Sequence, residues 1–486
     1  MYEEGDMENM RSDILDIAVK LGVFLSPDAL EYILSDPDPV SFTNTTLSAL
    51  SSDKMFVGRS DLEDCLYGDA PIITSPGKDV PKNKRHTDIK IIDGTDVTGN
   101  SLCEGEITDF TSYFKSRYDI LSRIIARRKD FGVGMPIDRA MQLDRDVRII
   151  GLVYEVTITK NGHIILNVED NESGCKVFIS KDSPLVGESF VNDEVIGIMG
   201  RPNGRKELLI AEEIFRPDIP RMNRWKPSDS VSSVAFLSDV HVGSNSFLED
   251  NWKRMTKWLR NTAYDTDLDY IVLPGDVVDG IGIFPGQETE LSITDIYEQY
   301  EALAEYLKEV PDHIKMVLQP GNHDAVRLAE PQPALGDLFT KTFDSNIILA
   351  GNPASLEIEG RRILSYHGKG IDDWISNVQK LTYDDPMSIM EEMLKRRHLA
   401  PIYGQRTALA PERKDYMAID EVPDIFVSGH IHGAGASDYR GVKTINASAW
   451  QSQTEFQKMH NFNPEPAIMP IVHLGTGEIN MKNFMD

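Results

Sequence analysis

Apolar residues first recur at helical spacing near the start of the chain, where Ile14, Ile17, Ala18 and Leu21 share one helix face. Ser26-Pro27-Asp28 then reads as a helix start, a capping hydroxyl followed by proline at the first helical position. These signals predict a helical N-terminal module over residues 1–66. Residues 67–110 turn to proline, glycine and charge without apolar periodicity (TSPGKDVPKNKRHTD, DGTDVTGN), the pattern of a flexible linker, save for a short apolar piece, Ile89, Ile91 and Ile92, that could dock elsewhere. From residue 111 an amphipathic helix is expected, with Phe114, Tyr118, Leu121 and Ile125 on one stripe and basic side chains around it. The period shortens to two between 147 and 217, where five short β-branched runs are separated by Asn-Gly, Glu-Ser-Gly and Pro-Asn-Gly turns. Five strands in so short a stretch fit a small Greek-key barrel of the OB type, so residues 111–220 are expected to form one helix-plus-barrel domain. After Pro220 apolar strands alternate with helical stretches such as LEDNWKRMTKWLRNTA, giving an α/β domain over 221–486.

Charge changes this picture in one respect. The chain of 486 residues carries a formal charge of −28, concentrated in residues 1–110 and 231–486, while 111–230 is nearly neutral. That excludes a basic chain held on phosphate by counterion release alone. Three widely spaced cysteines, Cys65, Cys103 and Cys175, supply neither a disulfide framework nor a thiolate zinc site, which suits a reducing cytoplasm. The acidic start MYEEGDMENM does not read as a signal peptide. No apolar run reaches the ~18 residues of a membrane span, so no membrane partner is expected.

The chemistry sits at strand ends. Successive strands of the α/β region run into Ser238-Asp239-Val240-His241, Gly275-Asp276, Gly321-Asn322-His323-Asp324, Tyr366-His367-Gly368 and Gly429-His430-Ile431-His432. Open α/β sheets place ligands where the carboxyl ends of strands converge. A shared carboxylate is what lets two cations sit side by side, so Asp276 is the candidate bridge. Asp239, His241 and His432 would complete one site; Asn322, His367 and His430 would complete the other. Mixed imidazole, carboxylate and amide donors suit Mn²⁺, Fe²⁺ or Zn²⁺ better than Mg²⁺ or Ca²⁺. The two cations would neutralise phosphate oxygens during in-line displacement. His323 is left over as a hydrogen-bond donor or general acid on the leaving-group side, with Asp324 as the residue that would orient it. Asp279 reads as a surface or supporting carboxylate. His86, His163, His313, His398 and His460 fall outside the pattern. Asp-x-His or Gly-Asp alone is weak, and His367 alone would pass as a core histidine. Five clusters in this order, each after a strand, make a non-metal explanation poor.

The series DVH…GD…GNHD…H…GHIH resembles the calcineurin-like metallophosphoesterase superfamily over roughly 233–433. The segments MLKRRHLAPIYGQR (393–406), APE (410–412), VPDIFVSGHIH (422–432) and INASAWQSQTEFQ (445–457), with FKSRYDILSRIIARR before the barrel, are similar to the small subunits of archaeal family D DNA polymerase over about 111–486. The resemblance implies a four-layer αββα sandwich with a two-metal site, beside an OB-like barrel and a helical N-terminal domain. It implies a 3′→5′ proofreading exonuclease acting on DNA 3′ ends with two divalent metal ions, Mn²⁺ foremost. It also implies a large catalytic polymerase subunit as partner and a cytoplasmic setting. Every metal position of the motif is occupied.

Two other readings stand beside this one: a metallophosphatase acting on protein or small-molecule phosphate esters, and a structural accessory subunit with a vestigial site. Basic residues cluster at 115–129 and 395–414. The first is open to a nucleic-acid contact or a solvated helix face beside a domain junction, the second to a substrate-strand clamp or a subunit interface or solvated helix. The acidic balance predicts that the isolated chain binds DNA weakly and relies on a more basic partner.

Overall fold

The computed structural model describes residues 89–262, 267–459 and 462–485, preceded by residues 11, 14–15, 17–18, 23–34, 39–49, 56–57 and 62. The chain divides into two compact units, Met1–His86 and Thr87–Asp486. In the first, strands β1 (Phe24–Leu25) and β2 (Phe56–Val57) pair in parallel beside helices Pro27–Leu34 and Pro39–Ala49. Ile14, Ala18, Leu30, Ile33, Leu47 and Val57 form its core. The predicted helix start is kept, with the Ala29 N–H 3.4 Å from the Ser26 hydroxyl.

The second unit begins with a departure from expectation. The sequence placed 67–110 in a linker, and 67–88 lies outside the described residues. From there the chain instead adds an edge strand, β3 (Lys90–Ile91). Asp96 then accepts the Gly351 N–H at 2.8 Å, and Glu412 accepts Ser101 and Leu102. Partners some 260 to 310 positions away leave no local periodicity to read. Helix Ile107–Ala126 follows, and buries Ile120, Leu121 and Ile125 against the barrel residues Leu152, Val195 and Phe215.

The barrel strands are β4 (Val147–Ile158), β5 (Ile164–Glu169), β6 (Gly174–Ile179), β7 (Val195–Pro202) and β8 (Leu208–Phe215). They close in the order β4-β5-β6-β8-β7 around Ile149, Leu166, Val177, Ile198 and Leu209. The five strands read from period-two runs are therefore present as a closed barrel.

Two six-stranded sheets complete the unit. The first contains β9 (Ser233–Phe236), β10 (Leu268–Leu273), β11 (Lys315–Leu318) and β12 (Ile347–Leu349). The second takes in β3 with β13 (Ala354–Ile358), β14 (Arg361–Ser365), β15 (Ile425–Ser428), β16 (Ala434–Tyr439) and β17 (Val442–Ala447). Strands β18 (Ile468–His473) and β19 (Ile479–Asn483) return to the first, giving orders β12-β11-β10-β9-β18-β19 and β16-β17-β15-β14-β13-β3. Val234, Phe236, Tyr270 and Val272 from one sheet pack with Leu356, Ile363, Ile425 and Ile445 from the other. The alternate residues Ala235, Ile271 and Met316 face Trp252, Leu259 and Leu303 of helices Glu249–Thr262 and Ile296–Leu307. On the second sheet Leu364 and Phe426 face Trp374, Met390 and Met393 of helices Ile371–Asn377 and Pro386–Arg396. Strands covered on both faces read as unbroken apolar runs, as these do. Among the described residues no helix is long and apolar enough to cross a membrane.

Candidate metal centre

β9, β10 and β11 run parallel in the first sheet, and β14 and β15 run parallel in the second. Each ends in one of the polar clusters, so five strand ends meet at one place. Asp239, His241, Asp276, His430 and His432 all adopt left-handed backbone, with φ of 51°, 54°, 49°, 70° and 52°. For residues bearing a Cβ that conformation costs about 1–3 kcal/mol each, and it is tolerated where surrounding structure imposes it. Gly275, at φ 121°, has no such freedom to give up: a Cβ there would stand 2.7 Å from His367 Nδ1 and 2.8 Å from the Gly321 nitrogen. The glycines beside the clusters are what let the strand ends close on one another.

Among the described residues the side chains form three overlapping groups, two of which hold the predicted ligands; the third joins His241 to Asp279 and His323. In the first, His241 Nε2 lies 3.2 Å from His432 Nε2, and Asp239 Oδ1 lies 3.3 Å from His432 Nε2 and 3.8 Å from His241 Nε2. In the second, His367 Nε2 lies 3.3 Å from Asp276 Oδ2 and 3.0 Å from Asn322 Oδ1. Asp276, His367 and His430 each present a donor atom within 4.8 Å of the others. Asp276 Oδ2 is also 4.0 Å from His241 Nε2, so one carboxylate oxygen faces both groups. The seven predicted ligand positions are thus brought together.

The donor set fits divalent cations on its own terms. Donors sharing one cation at about 2.1 Å stand roughly 3–4 Å from one another, the spacing found here. Asp239 Oδ1 is buried without a hydrogen-bond partner although two imidazoles surround it. Two imidazole nitrogens facing each other at 3.2 Å need a shared proton or a shared cation. Burial pushes the Asp239 carboxyl up, but the neighbouring His241 and His432 imidazoles outweigh it and hold it well below the carboxylate range. Burial pulls His367 down, yet the Asp276 charge lifts it to about 9. The pocket's field favours positive charge.

His323 stands beside the ligands. Its backbone N–H donates to Asp276 Oδ1 at 2.8 Å, its Nδ1 lies 2.7 Å from the Asp279 carbonyl, and its Nε2 lies 4.0 Å from Asp276 Oδ2. Donation to that carbonyl fixes the tautomer and turns Nε2 toward the cluster. Burial lowers its pKa. The expectation that Asp324 orients His323 is corrected. Asp324 accepts the Gly321 N–H at 2.8 Å and the Tyr300 hydroxyl at 3.0 Å, which pins the turn rather than the imidazole. Burial, followed by the Asp276 charge, pushes its carboxyl up to about 7.

Two supporting carboxylates lie outside the ligand set read from the motifs. Asp279 is buried, not on the surface; its Oδ1 lies 3.0 Å from His241 Nδ1 and receives Gln451 at 3.0 Å, while Gln287 donates to Oδ2. Its place three residues after Asp276, within the same strand-end run, is the available signal. Asp372 lies 3.3 Å from His430 Nε2 and has no motif to announce it.

The basic segments find their partners in the fold. Arg117 is fully buried and bonded to Asp415, Arg123 pairs with Asp420, and Arg128 pairs with Asp130. In the second segment Arg396 is buried against Glu194 and Glu392, and His398 is buried against Asp415. Arg117, Arg396 and His398 are buried and hold the barrel and its helix to the sheets, whereas Arg123 pairs at the surface. Lys115, Arg127 and Lys129 of the first segment and Arg406, Arg413 and Lys414 of the second are exposed.

A family model for the B subunits of DNA polymerases alpha and epsilon matches residues 234–433. The DNA polymerase II small subunit of Archaeoglobus fulgidus is 45% identical over 397 residues, covering 80% of each chain. That of Methanothermobacter thermautotrophicus is 38% identical over 480 residues, 96% of this chain and 98% of its own. That of Thermoplasma acidophilum is 40% identical over 381 residues, 78% of each. A solved structure titled as a novel archaeal phosphodiesterase aligns at 12% identity and TM-score 0.28, over 51% of this chain and 98% of its own. With identities this high over four fifths or more of both chains, this chain belongs to the archaeal DNA polymerase II small subunit family.

Proposed function

We propose that this small subunit carries a two-metal 3′→5′ proofreading exonuclease, which removes nucleotides from DNA 3′ ends while a large subunit polymerises. The observation that supports it is Asp276 Oδ2, which faces both donor groups at once. Asp239, His241 and His432 would hold one divalent cation and Asn322, His367 and His430 the other, with the Asp276 carboxylate shared between them. Such a pair, for which Mn²⁺ is the best match to the donors, would supply charge neutralisation at the phosphate and a water of lowered pKa. In this reading the two sheets with their outer helices make a four-layer αββα sandwich, the barrel is OB-like, and the N-terminal unit with helices Pro27–Leu34 and Pro39–Ala49 is a separate domain.

The chain's own residues do the rest. His323 presents Nε2 to the leaving oxygen while the Asp279 carbonyl holds its Nδ1. As an imidazolium, favoured once a phosphodiester anion is bound, it gives its Nε2 proton to that oxygen. The left-handed strand ends hold the donors rigid, so little reorganisation accompanies the reaction.

The test is a 3′-end-labelled DNA assay with the full chain, alone and with its large subunit, with and without Mn²⁺. Metal-dependent release of 3′-terminal nucleotides that disappears in Asp276→Ala is the expected result. A folded, Mn²⁺-loaded protein without nuclease activity would overturn it. Activity on phosphopeptides and none on DNA would move the chain to the phosphatases; failure to take up metal would mark the site as vestigial.

A further inference from the structure

Asp372 stands in the first turn of helix Ile371–Asn377, just beyond the His367 cluster. An acidic residue there would ordinarily be explained by the helix dipole alone. Its contacts point elsewhere. The residue is 8% exposed. Oδ2 lies 3.3 Å from His430 Nε2 and accepts the Lys369 ammonium at 2.7 Å, while Oδ1 accepts the Tyr383 hydroxyl at 2.9 Å. A buried carboxylate with three partners of this kind has its position over-determined.

We propose that Asp372 is a positioning residue for the second cation. With Nε2 engaged by Asp372, His430 has Nδ1 left to turn toward Asp276 and His367. A ligand imidazole whose other nitrogen is held by a carboxylate is fixed in tautomer and ring orientation and is a better donor. Lys369 and Tyr383 hold the carboxylate in turn. Lys369 comes from the loop that follows His367, so one acid ties two ligand-bearing loops together. Its neighbour Asp373 accepts the backbone N–H groups of Arg406 and Thr407 at 2.9 and 3.0 Å. The paired acids therefore couple the centre to the segment lying between its last two motifs.

This inference rests on the two-cation reading, and the experiment separates the two. Mn²⁺ is titrated by calorimetry, with paramagnetic resonance as a second readout, into the full-length wild type, Asp372→Ala, Asp372→Asn and Tyr383→Phe. Wild type should take up two ions. Asp372→Ala should weaken one of them about 10–100-fold and leave the other as it was. Asp372→Asn, nearly isosteric, should fold normally and lose less, and Tyr383→Phe least. Melting temperatures without metal should stay close to wild type in the two conservative variants, which a merely structural role would not combine with a selective loss. Two unchanged sites in both Asp372 variants would overturn the inference alone. No uptake by wild type would overturn the two-cation reading and this inference with it.

Discussion

Arg117 and Asp415 meet at 2.7 Å with neither side chain reached by solvent, across 298 positions of chain. The guanidinium also donates to the carbonyls of Asp193 and Pro401 and to the Tyr113 hydroxyl at 2.9 Å. Helix, barrel and the 399–421 segment are thereby tied at one buried cation. Removing one member of such a pair leaves the other charged and unsolvated, so Arg117→Met should cost about 3–5 kcal/mol of stability. The double variant Arg117→Met/Asp415→Asn should lose clearly less than the sum of the single losses. Urea denaturation of the three variants checks this, and strict additivity would count against it.

The same cluster sets an acid limit. His398 Nε2 lies 2.8 Å from Asp415 Oδ2, yet burial, aided by the Arg117 charge, holds the imidazole down at about 4 against an ordinary 6.5. The native state keeps His398 neutral over a range in which the unfolded chain protonates it, so stability falls as pH drops from about 6.5 to 4. Burial pushes Asp415 up, but His398 and Arg117 pull it well below the carboxylate range, which adds a further loss at lower pH. A depression of the size seen at His398 corresponds to at most about 3 kcal/mol. His398→Gln should flatten the fall in melting temperature between pH 6.5 and 4. An unchanged slope would rule His398 out as the group responsible.

Gly321 offers a steric test of the centre. A Cβ at this position would run into Asp276 Oδ1 and stand 2.6 Å from the Asp276 nitrogen and 2.8 Å from His367 Cε1. None of these atoms belongs to the free end of a flexible side chain. Gly321→Ala should therefore displace Asp276, lower stability by roughly 1–3 kcal/mol and weaken Mn²⁺ uptake. Calorimetric titration and thermal melting measure both, and normal uptake would show that the strand ends have slack.

The residues of the centre are legible in sequence because each follows an apolar strand, where a cluster of polar side chains has no reason to be buried without a ligand. The period-two runs of β4 to β8 are legible for the same reason, since pleated strands carry their burial pattern in sequence. What cannot be read depends on partners far along the chain. Ile91 pairs with Leu356; the short apolar piece Ile89, Ile91 and Ile92 shows that something could dock there but not which strand it meets. Arg117 and Arg396 look like solvated or DNA-facing charge because a helical pattern shows a polar residue but not the carboxylate that meets it in the fold. Asp279 and Asp372 act through His241 and His430, and no spacing rule connects those pairs.

His323 and Asp276 make opposite predictions although they touch. Asp276 faces both donor groups, so Asp276→Ala should abolish nuclease activity together with tight Mn²⁺ uptake. His323 lies outside the two groups around Asp239 and Asp276, although its Nε2 stands 4.0 Å from Asp276 Oδ2 and its ring meets that of His241 beside Asp279. His323→Ala keeps the backbone N–H bonded to Asp276 Oδ1 and removes only the imidazole. Loss of a general acid typically lowers turnover about 10²–10⁴-fold; that drop should appear with Mn²⁺ stoichiometry and affinity close to wild type. Single-turnover release of a 3′-labelled nucleotide, read beside the metal titration of the same preparation, separates the two roles. If His323→Ala loses an ion as well as activity, the imidazole is a ligand. If it loses neither, proton transfer to the leaving oxygen belongs to another group.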